Sequence, residues 1–399
     1  MAKKIHNIQG IKLGSASSNT RYGTREDSVV ITLPKEAKLS GKFTTNKLKA
    51  APVTEAIQNL SLLEKGSKVL LINAGNANAA NGPKGIKDVK KYCKEIASVL
   101  NLNQQNIIPF STGVIGEALP VENYLKAFRK ALTRLDNKNW KKAASAILTT
   151  DTKPKIVSKE IKIGKTSYLI TSFAKGSGMI RPDFATLLSF VFLDAKLSQS
   201  ALNKIHTEAL KVSFEAITID GDTSPNDSSV LVATGNKEKS VKPGSLAEKK
   251  LSQAVIETFK ELSELLVEDA EGATKKIIIK VRKAKSIEQA KSVAFTVAES
   301  PLVKTAMFGS DANWGRILSA VGRDETVEDI NELQIQLNGQ PLVKKGFIDP
   351  KYSEKSASRV MKKREIIIEI ILGLGKYEFE VMTSDLSEDY VLINSDYRS

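Results

Sequence analysis

The apolar residues of this chain come in runs no longer than a β-strand. Ser67-Lys-Val-Leu-Leu-Ile-Asn73, Ile107-Ile-Pro-Phe110, residues 186–193 and residues 366–374 are the richest. None nears the roughly 18 uncharged apolar residues of a membrane span. Between them, apolar residues recur every three or four positions. Leu251, Val255, Phe259, Leu262 and Leu266 predict an amphipathic helix over 246–267, and related patterns predict helices over 89–100, 124–135 and 140–148. Residues 161–173 alternate like a hairpin with Gly164-Lys165 at its turn, and further strands are predicted near 276–281, 334–337, 365–372 and 377–382. Strands joined by short turns are too frequent for a doubly wound parallel sheet. The expected fold is therefore α+β and layered. At 399 residues it divides into a larger domain, 1–282, and a smaller α/β C-terminal domain, 283–399.

The charge balance, 60 Lys+Arg against 45 Asp+Glu, gives +15, spread along the chain rather than blocked, which excludes a disordered polycation. Basic clusters at 84–94, 275–285 and 362–364 contain no aromatic residue but Tyr92 to stack bases, so they read as solvated surface rather than a nucleic-acid site. The single cysteine allows no intramolecular disulfide and no four-cysteine metal site, which suits a reducing compartment. The first ten residues lack the apolar run of a secretory signal, so a cytoplasmic protein is expected.

The two histidines exclude more than the charge does. Ser-His-Asp and Cys-His catalysis needs an imidazole beside the nucleophile. His6 lies in a polar N-terminal segment expected to be loosely held. His206 sits at the flank of the stripe Leu202, Ile205, Ala209 and Val212, on a helix capped by Ser198. Cys93 shares a face with Val89, Ile96 and Leu100 and reads as a core thiol rather than a nucleophile. An enzyme built on this chain must find its base elsewhere.

Three loops place small residues after apolar strands, where backbone N–H groups can approach a ligand: 73–82, 111–116 and 175–178. None is a Walker A loop or a Gly-x-Gly-x-x-Gly turn, and taken singly each reads as an ordinary turn rather than a site. In Thr112-Gly113 a hydroxyl beside an exposed N–H is suited to hold an oxyanion. Asp220-Gly-Asp-Thr-Ser-Pro-Asn-Asp227 has the look of a cation loop, but the EF-hand spacing fails and a hydrogen-bonded acidic turn remains. In Lys175-Gly-Ser-Gly-Met-Ile-Arg-Pro-Asp-Phe-Ala-Thr-Leu-Leu188 a glycine turn leads to Ala185-Thr186 before a strand. Thr186 reads by default as a strand residue. Alternatively its hydroxyl attacks the Ala185 carbonyl, shifts the acyl group to oxygen and frees Thr186 as a new N-terminus, whose α-amine (reference pKa about 7.7–8.0) is the missing base.

Lys175-Gly-Ser-Gly-Met-Ile-x-Pro-x-x-Ala-Thr186 resembles the cleavage segment of the ornithine acetyltransferase (glutamate N-acetyltransferase) family of arginine biosynthesis. The likeness covers almost the whole chain, through residues 43–53, Asn73-Ala-Gly-Asn-Ala-Asn78, Ser111-Thr-Gly-Val-Ile-Gly116 and Thr149-Thr-Asp-Thr-Lys-Pro-Lys155. It continues in Asp220-Gly-Asp-Thr-Ser224, Glu271-Gly-Ala-Thr-Lys275, Asn313-Trp-Gly-Arg-Ile317 and residues 389–399. Arg181, Asp183 and Phe184 stand where the family commonly has His, Asn and Met; Ala80 replaces a frequent Cys, and Ala312 a usual Pro.

The resemblance implies a layered fold of the self-processing N-terminal-nucleophile type. It implies Thr186 as nucleophile, Ala185–Thr186 as the self-cleaved bond, and Thr112 and Gly113 as the oxyanion hole. Thr152, Lys175, Thr186, Glu271, Asn394 and Ser399 match positions that bind the amino-acid substrate. The implied reaction is acetyl transfer from N2-acetylornithine to glutamate, with acetyl-CoA as a second donor where a member is bifunctional, and with no metal or organic cofactor. The implied assembly is an α piece, 1–185, and a β piece, 186–399, joined as an α2β2 heterotetramer. The rivals are a self-processing aminopeptidase or amidase of related fold, which gives the acyl group to water, and a basic nucleic-acid-binding protein.

Overall fold

The structure, a computed structural model, describes every residue except 1–3, 182–186, 238–239 and 397–399. The chain groups into two compact units: residues 1–179, 183–215 and 223–266, and residues 180–182, 216–222 and 267–399.

The first unit holds two sheets. One runs β1 (Lys12–Ala16), β2 (Ser28–Leu33), β4 (Lys68–Asn76), β5 (Ile107–Val114). The other runs β3 (Lys38–Phe43), β9 (Ser228–Ala233), β8 (Leu188–Leu193), β7 (Thr166–Lys175), β6 (Lys155–Ile163). The pairs β4–β5 and β8–β9 are parallel and the rest antiparallel, so neither sheet is doubly wound. The sheets face one another across a core of Val29, Ile31, Leu70, Ile72 and Phe110 against Phe173, Phe190, Phe192, Val230 and Val232. Phe110 meets Phe190 edge to face at 5.1 Å between centroids, and Phe173 meets Phe190 at 5.4 Å. Each such ring contributes roughly 1.5–3 kcal/mol by leaving water.

The outer face of the first sheet is covered by α2 (Gly82–Leu100) and α3 (Val121–Leu132), whose Val89, Tyr92, Cys93, Ile96, Tyr124 and Phe128 pack on Val30, Val69, Leu71 and Ile107. Helix α1 (Ala51–Ser61) lies along β5, and α4 (Trp140–Ala146) sends Trp140 into the core between the sheets. On the second sheet, α5 (Gln199–Lys211) packs on β3 and β9. Residues 246–266 of α6 (Leu246–Glu268) bring Phe259 to 5.5 Å from the His206 ring and pair Glu261 with Lys159 of β6 at 2.7 Å. The result is a helix–sheet–sheet–helix sandwich, the layered α+β architecture expected. The residues that predicted the long helix (Leu251, Val255, Phe259, Leu262 and Leu266) are all fully buried.

The second unit has one sheet, in the order β13 (Phe347–Ile348), β12 (Gln340–Lys344), β11 (Gln334–Leu337), β14 (Glu365–Ile371), β10 (Lys276–Ala284), β15 (Tyr377–Ser384). Its core joins Ile277, Ile279 and Ile368 to Val293, Val297, Met307, Ile317 and Met361 of α7 (Ile287–Ala298), α8 (Pro301–Phe308), α9 (Trp314–Gly322) and α10 (Glu354–Met361). The chain ends in α11 (Glu388–Ser395). The boundary expected at 282/283 falls inside β10, whose ladder partners β14 and β15 both belong to the second unit; the strand sits at residues 276–284 because Ile277, Ile279 and Val281 need that core. No helix among the described residues is long and apolar enough to cross a membrane.

Two expectations are corrected. The segment around His6 is not loose: the His6 N–H donates to Ser158 Oγ at 2.9 Å, its carbonyl accepts from Thr171 Oγ1 at 2.5 Å, and Ile8 and Ile11 are fully buried. His206 lies on the buried face of α5 rather than its flank, with Nδ1 3.0 Å from Ser40 Oγ and Nε2 2.9 Å from Ser229 Oγ. Burial first, then the Lys42 charge, lowers its pKa to about 3, so it is a neutral strut of the core.

Candidate active site

In the first unit, the parallel pair β4–β5 carries both strands to a common end, where Gly75 stands opposite Gly113 and the register slips at Gly75/Asn76. The close approach explains the glycine: a Cβ on Gly113 would lie 2.2 Å from the Gly75 carbonyl carbon, and φ is +133°. Asn73 and Ser111 lock the two strand ends, Ser111 Oγ donating to Asn73 Oδ1 at 2.5 Å. Thr112 is thereby held buried at the end of β5 with its hydroxyl oxygen toward β7.

Lys175 closes β7 and lies opposite Leu188 of β8, two residues beyond Thr186 in sequence. Its buried ammonium donates to Thr149 Oγ1 at 2.9 Å and to Thr112 Oγ1 at 3.3 Å, and lies 3.8 Å from Asp151 Oδ2. Asp151 organises this cluster. It pairs with Lys155 Nζ at 2.5 Å and accepts from the N–H groups of Gly176 at 2.7 Å and Thr149 at 3.2 Å. Burial works to raise its pKa, but Lys175 and Lys155 with these hydrogen bonds override it and hold the carboxyl at about 2. Asp151 thus stands between two buried ammonium groups, which it holds side by side at the end of β7.

A second buried acid closes the same region. Asp227 Oδ1 accepts the Leu187 N–H at 2.9 Å, while Oδ2 has no hydrogen-bond partner among the described residues. Burial pushes this carboxyl far above the usual range, and the Leu187 and Ser224 N–H groups and Lys175 only partly oppose it. Its neighbour Asn226 donates to the Ala77 carbonyl at 2.7 Å and the Ser111 carbonyl at 3.0 Å, tying the start of β9 to the residue before Thr112.

The motif order of this chain is that of a known family: a family model described as "ArgJ family" matches residues 12–399. This chain belongs to the ArgJ family. The family read from the sequence motifs is thus the one matched, and with it come acetyl transfer and arginine biosynthesis, the activity and pathway the motifs implied. Among relatives, this ArgJ-family chain is 40% identical over 409 residues to the arginine biosynthesis bifunctional protein ArgJ of Colwellia psychrerythraea, covering 98% of this chain and 96% of that one. It is 42% identical over 394 residues to the protein of the same name in Methylococcus capsulatus, with coverage of 98% and 96%. A crystal structure of arginine biosynthesis bifunctional protein ArgJ from Bacillus halodurans is 30% identical, spans 51% of this chain and 95% of its own, and superposes with a TM-score of 0.48.

In this ArgJ member, Thr112, Gly113 and Lys175 meet in the first unit as described, and Thr152 lies exposed on the turn before β6. In the second unit, Glu271 and Asn394 come together: Asn394 Nδ2 donates to Glu271 Oε2 at 2.8 Å and to the Tyr390 carbonyl at 3.0 Å. Glu271 is held there because Ser387 Oγ donates to the Gly272 carbonyl at 2.6 Å, and Gly272 (φ +65°) leaves no room for a side chain against Ser387 and Tyr390. Ala185, Thr186 and Ser399 lie outside the described residues, as do Asp183 and Phe184. Arg181 pairs with Glu299 at 3.1 Å within the second unit. No group of three or more His, Cys, Asp or Glu that could hold a metal occurs among the described residues.

Sequence reasoning missed Asp151 and Asp227. Asp151 had a readable signal, a carboxylate four residues before Lys155 in the matched segment 149–155. Asp227 reads in the sequence only as the end of an acidic turn, because its side chain accepts the Leu187 N–H from forty residues away. The acidic-turn reading holds for part of its segment, where Asp220 Oδ1 accepts the Asp222 N–H at 3.4 Å and Ser224 Oγ accepts the Asn226 N–H at 3.1 Å.

Proposed function

We propose that the chain moves an acetyl group from N2-acetylornithine to glutamate through an acetyl ester on Thr186. The hydroxyl oxygen of Thr186 attacks the acetyl carbon, its proton passes to the Thr186 α-amine, and the same amine returns a proton to ornithine as the C–N bond breaks. The amine of glutamate then attacks the ester, giving N-acetylglutamate and the free hydroxyl. Thr112 and Gly113 donate to the oxyanion in both steps. Before that, the Thr186 hydroxyl oxygen bonds to the Ala185 carbonyl carbon as the Ala185–Thr186 C–N bond breaks, the hydroxyl proton ending on the departing nitrogen. Water hydrolyses the resulting ester, giving pieces 1–185 and 186–399, which assemble as an α2β2 heterotetramer in the cytoplasm.

By motif match, Thr152, Lys175, Thr186, Glu271, Asn394 and Ser399 hold the amino-acid substrate, with Lys175 on an α-carboxylate and Glu271 on an ammonium. The reading needs no resident metal or organic cofactor, and acetyl-CoA enters only as a second acetyl donor.

The observation that supports this most is the position of Lys175, bonded through Nζ to the oxyanion threonine and paired in the sheet with a residue two beyond the nucleophile. Purified protein on a denaturing gel tests the cleavage: the 43.5 kDa chain gives pieces of about 20 and about 23 kDa at ordinary residue mass. A single full-length band with full transferase activity refutes the nucleophile assignment. Initial rates with acetylornithine and glutamate should give parallel double-reciprocal lines, and intersecting lines refute the acetyl-enzyme. Acetyl-CoA tested separately as donor decides whether the second activity is present.

A further inference from the structure

Thr112 Oγ1 faces a group that can only donate. An ammonium has no acceptor, so in the 3.3 Å contact with Lys175 Nζ the threonine oxygen accepts, and its own hydrogen must turn elsewhere. No acceptor for that hydrogen occurs among the described residues. A hydroxyl engaged in this way has a restricted rotor and a more polar O–H, the state required of a donor aimed at developing charge.

We propose that Lys175 is a positioning residue that turns the Thr112 hydroxyl into a preorganised oxyanion donor. The proposal rests on the oxyanion role given to Thr112 above and adds a second task to the lysine beyond holding a substrate carboxylate. The surrounding contacts fix the ammonium for it. Thr149 Oγ1 accepts at 2.9 Å and Asp151 Oδ2 lies at 3.8 Å, with Asp151 itself immobilised by Lys155 and by the Gly176 and Thr149 N–H groups. The Lys175 ammonium itself also lies beside Thr112, where the oxyanion forms. Binding a carboxylate tightens substrate and transition state alike, whereas orienting Thr112 acts only on the transition state.

A double-mutant cycle separates the two tasks, using Thr112→Val, Lys175→Met and the double variant, with rates referred to the self-cleaved fraction. Thr112→Val should lower kcat by about 10²–10³. Lys175→Met should lower kcat as well as raise KM, and the double variant should have the kcat of Thr112→Val within about threefold, since the lysine has nothing left to orient. Losses in kcat that multiply overturn the proposal, as does a Lys175→Met enzyme altered in KM alone.

A Thr112→Val enzyme with unchanged kcat overturns the oxyanion assignment instead, a distinguishable failure. Lys155 still neutralises Asp151 in Lys175→Met, which favours folding of that variant. Thr149→Val gives an independent reading because it removes an acceptor that fixes the ammonium and leaves Thr112 in place. It should lower kcat about tenfold or more with KM within about twofold, and an unchanged kcat overturns the proposal.

Discussion

Replacing Asp151 by Asn removes a negative charge that lies between two buried ammonium groups. The carboxyl is held at about 2 against an ordinary 3.8, so its ionised form is favoured by about 2–3 kcal/mol in the folded chain. Because the folded pKa lies below the unfolded one, this contribution is whole above about pH 4 and fades as pH falls toward 2. The substitution should cost more than that amount. Lys155 is fully buried and Lys175 nearly so, and each loses a carboxylate partner; breaking a buried pair from one side costs about 3–5 kcal/mol. For a unit of this size that is a fall of about 6–20 °C in melting temperature, read by calorimetry or circular dichroism at pH 7. The double variant Asp151→Asn/Lys155→Met replaces a charge pair by a neutral one and should recover at least half of the loss. An Asp151→Asn protein within about 1 kcal/mol of the parent refutes the reasoning, for the cluster would then be solvated rather than buried.

Gly113→Ala should lose soluble yield, self-cleavage and transferase activity together, because its Cβ would stand 2.2 Å from the backbone of Gly75 at a φ that alanine avoids; normal melting behaviour with the alanine in place contradicts this. His206→Gln should flatten the acid sensitivity of the fold. With the imidazole held at about 3, stability is whole above about pH 6.5 and is lost as pH falls, at up to about 1.4 kcal/mol per unit. Gln can keep both serine hydrogen bonds without titrating, so denaturant midpoints at pH 7, 5.5 and 4 should fall for the parent and not for the variant; parallel profiles refute it.

The sequence was most legible where one element buries one face. The helix over 246–267 and the strands near 334–337 and 365–372 lie within two residues of their observed positions because a single periodicity decides them. The strands β1, β2 and β3 left no comparable mark. Their residues are buried between layers on both faces, so Val29, Val30 and Ile31 show no alternation, and their partners are remote: β3 pairs with β9. Helices α7 to α9 also escaped, since their small-residue faces, such as Ala290, Ala294 and Ala298, fit the sheet without a strong apolar stripe. The site was legible as motifs and not as geometry. Thr112, Gly113 and Lys175 were named from their types and order, but the acid that fixes the lysine came into view only when Asp151 and Gly176 met across 25 residues.

The scarcity of histidine has a physical counterpart in what the fold does with both. His6 is bonded to β6 and β7 through its backbone N–H and carbonyl, and His206 is a neutral strut between Ser40 and Ser229. With the imidazoles so employed, the proposed proton acceptor at the nucleophile is the α-amine that scission would free. The two lysines of the buried cluster are poor candidates: Lys155 and Lys175 are tied to Asp151, whose depressed pKa reflects the same attraction. An α-amine freed by scission titrates near neutrality without needing burial to bring it there. On the proposed mechanism, self-cleavage and acetyl transfer become one requirement: the cut that would expose the Thr186 nucleophile would also create its base, so a chain that cannot cut itself should not turn over even with Thr112 and Gly113 in place.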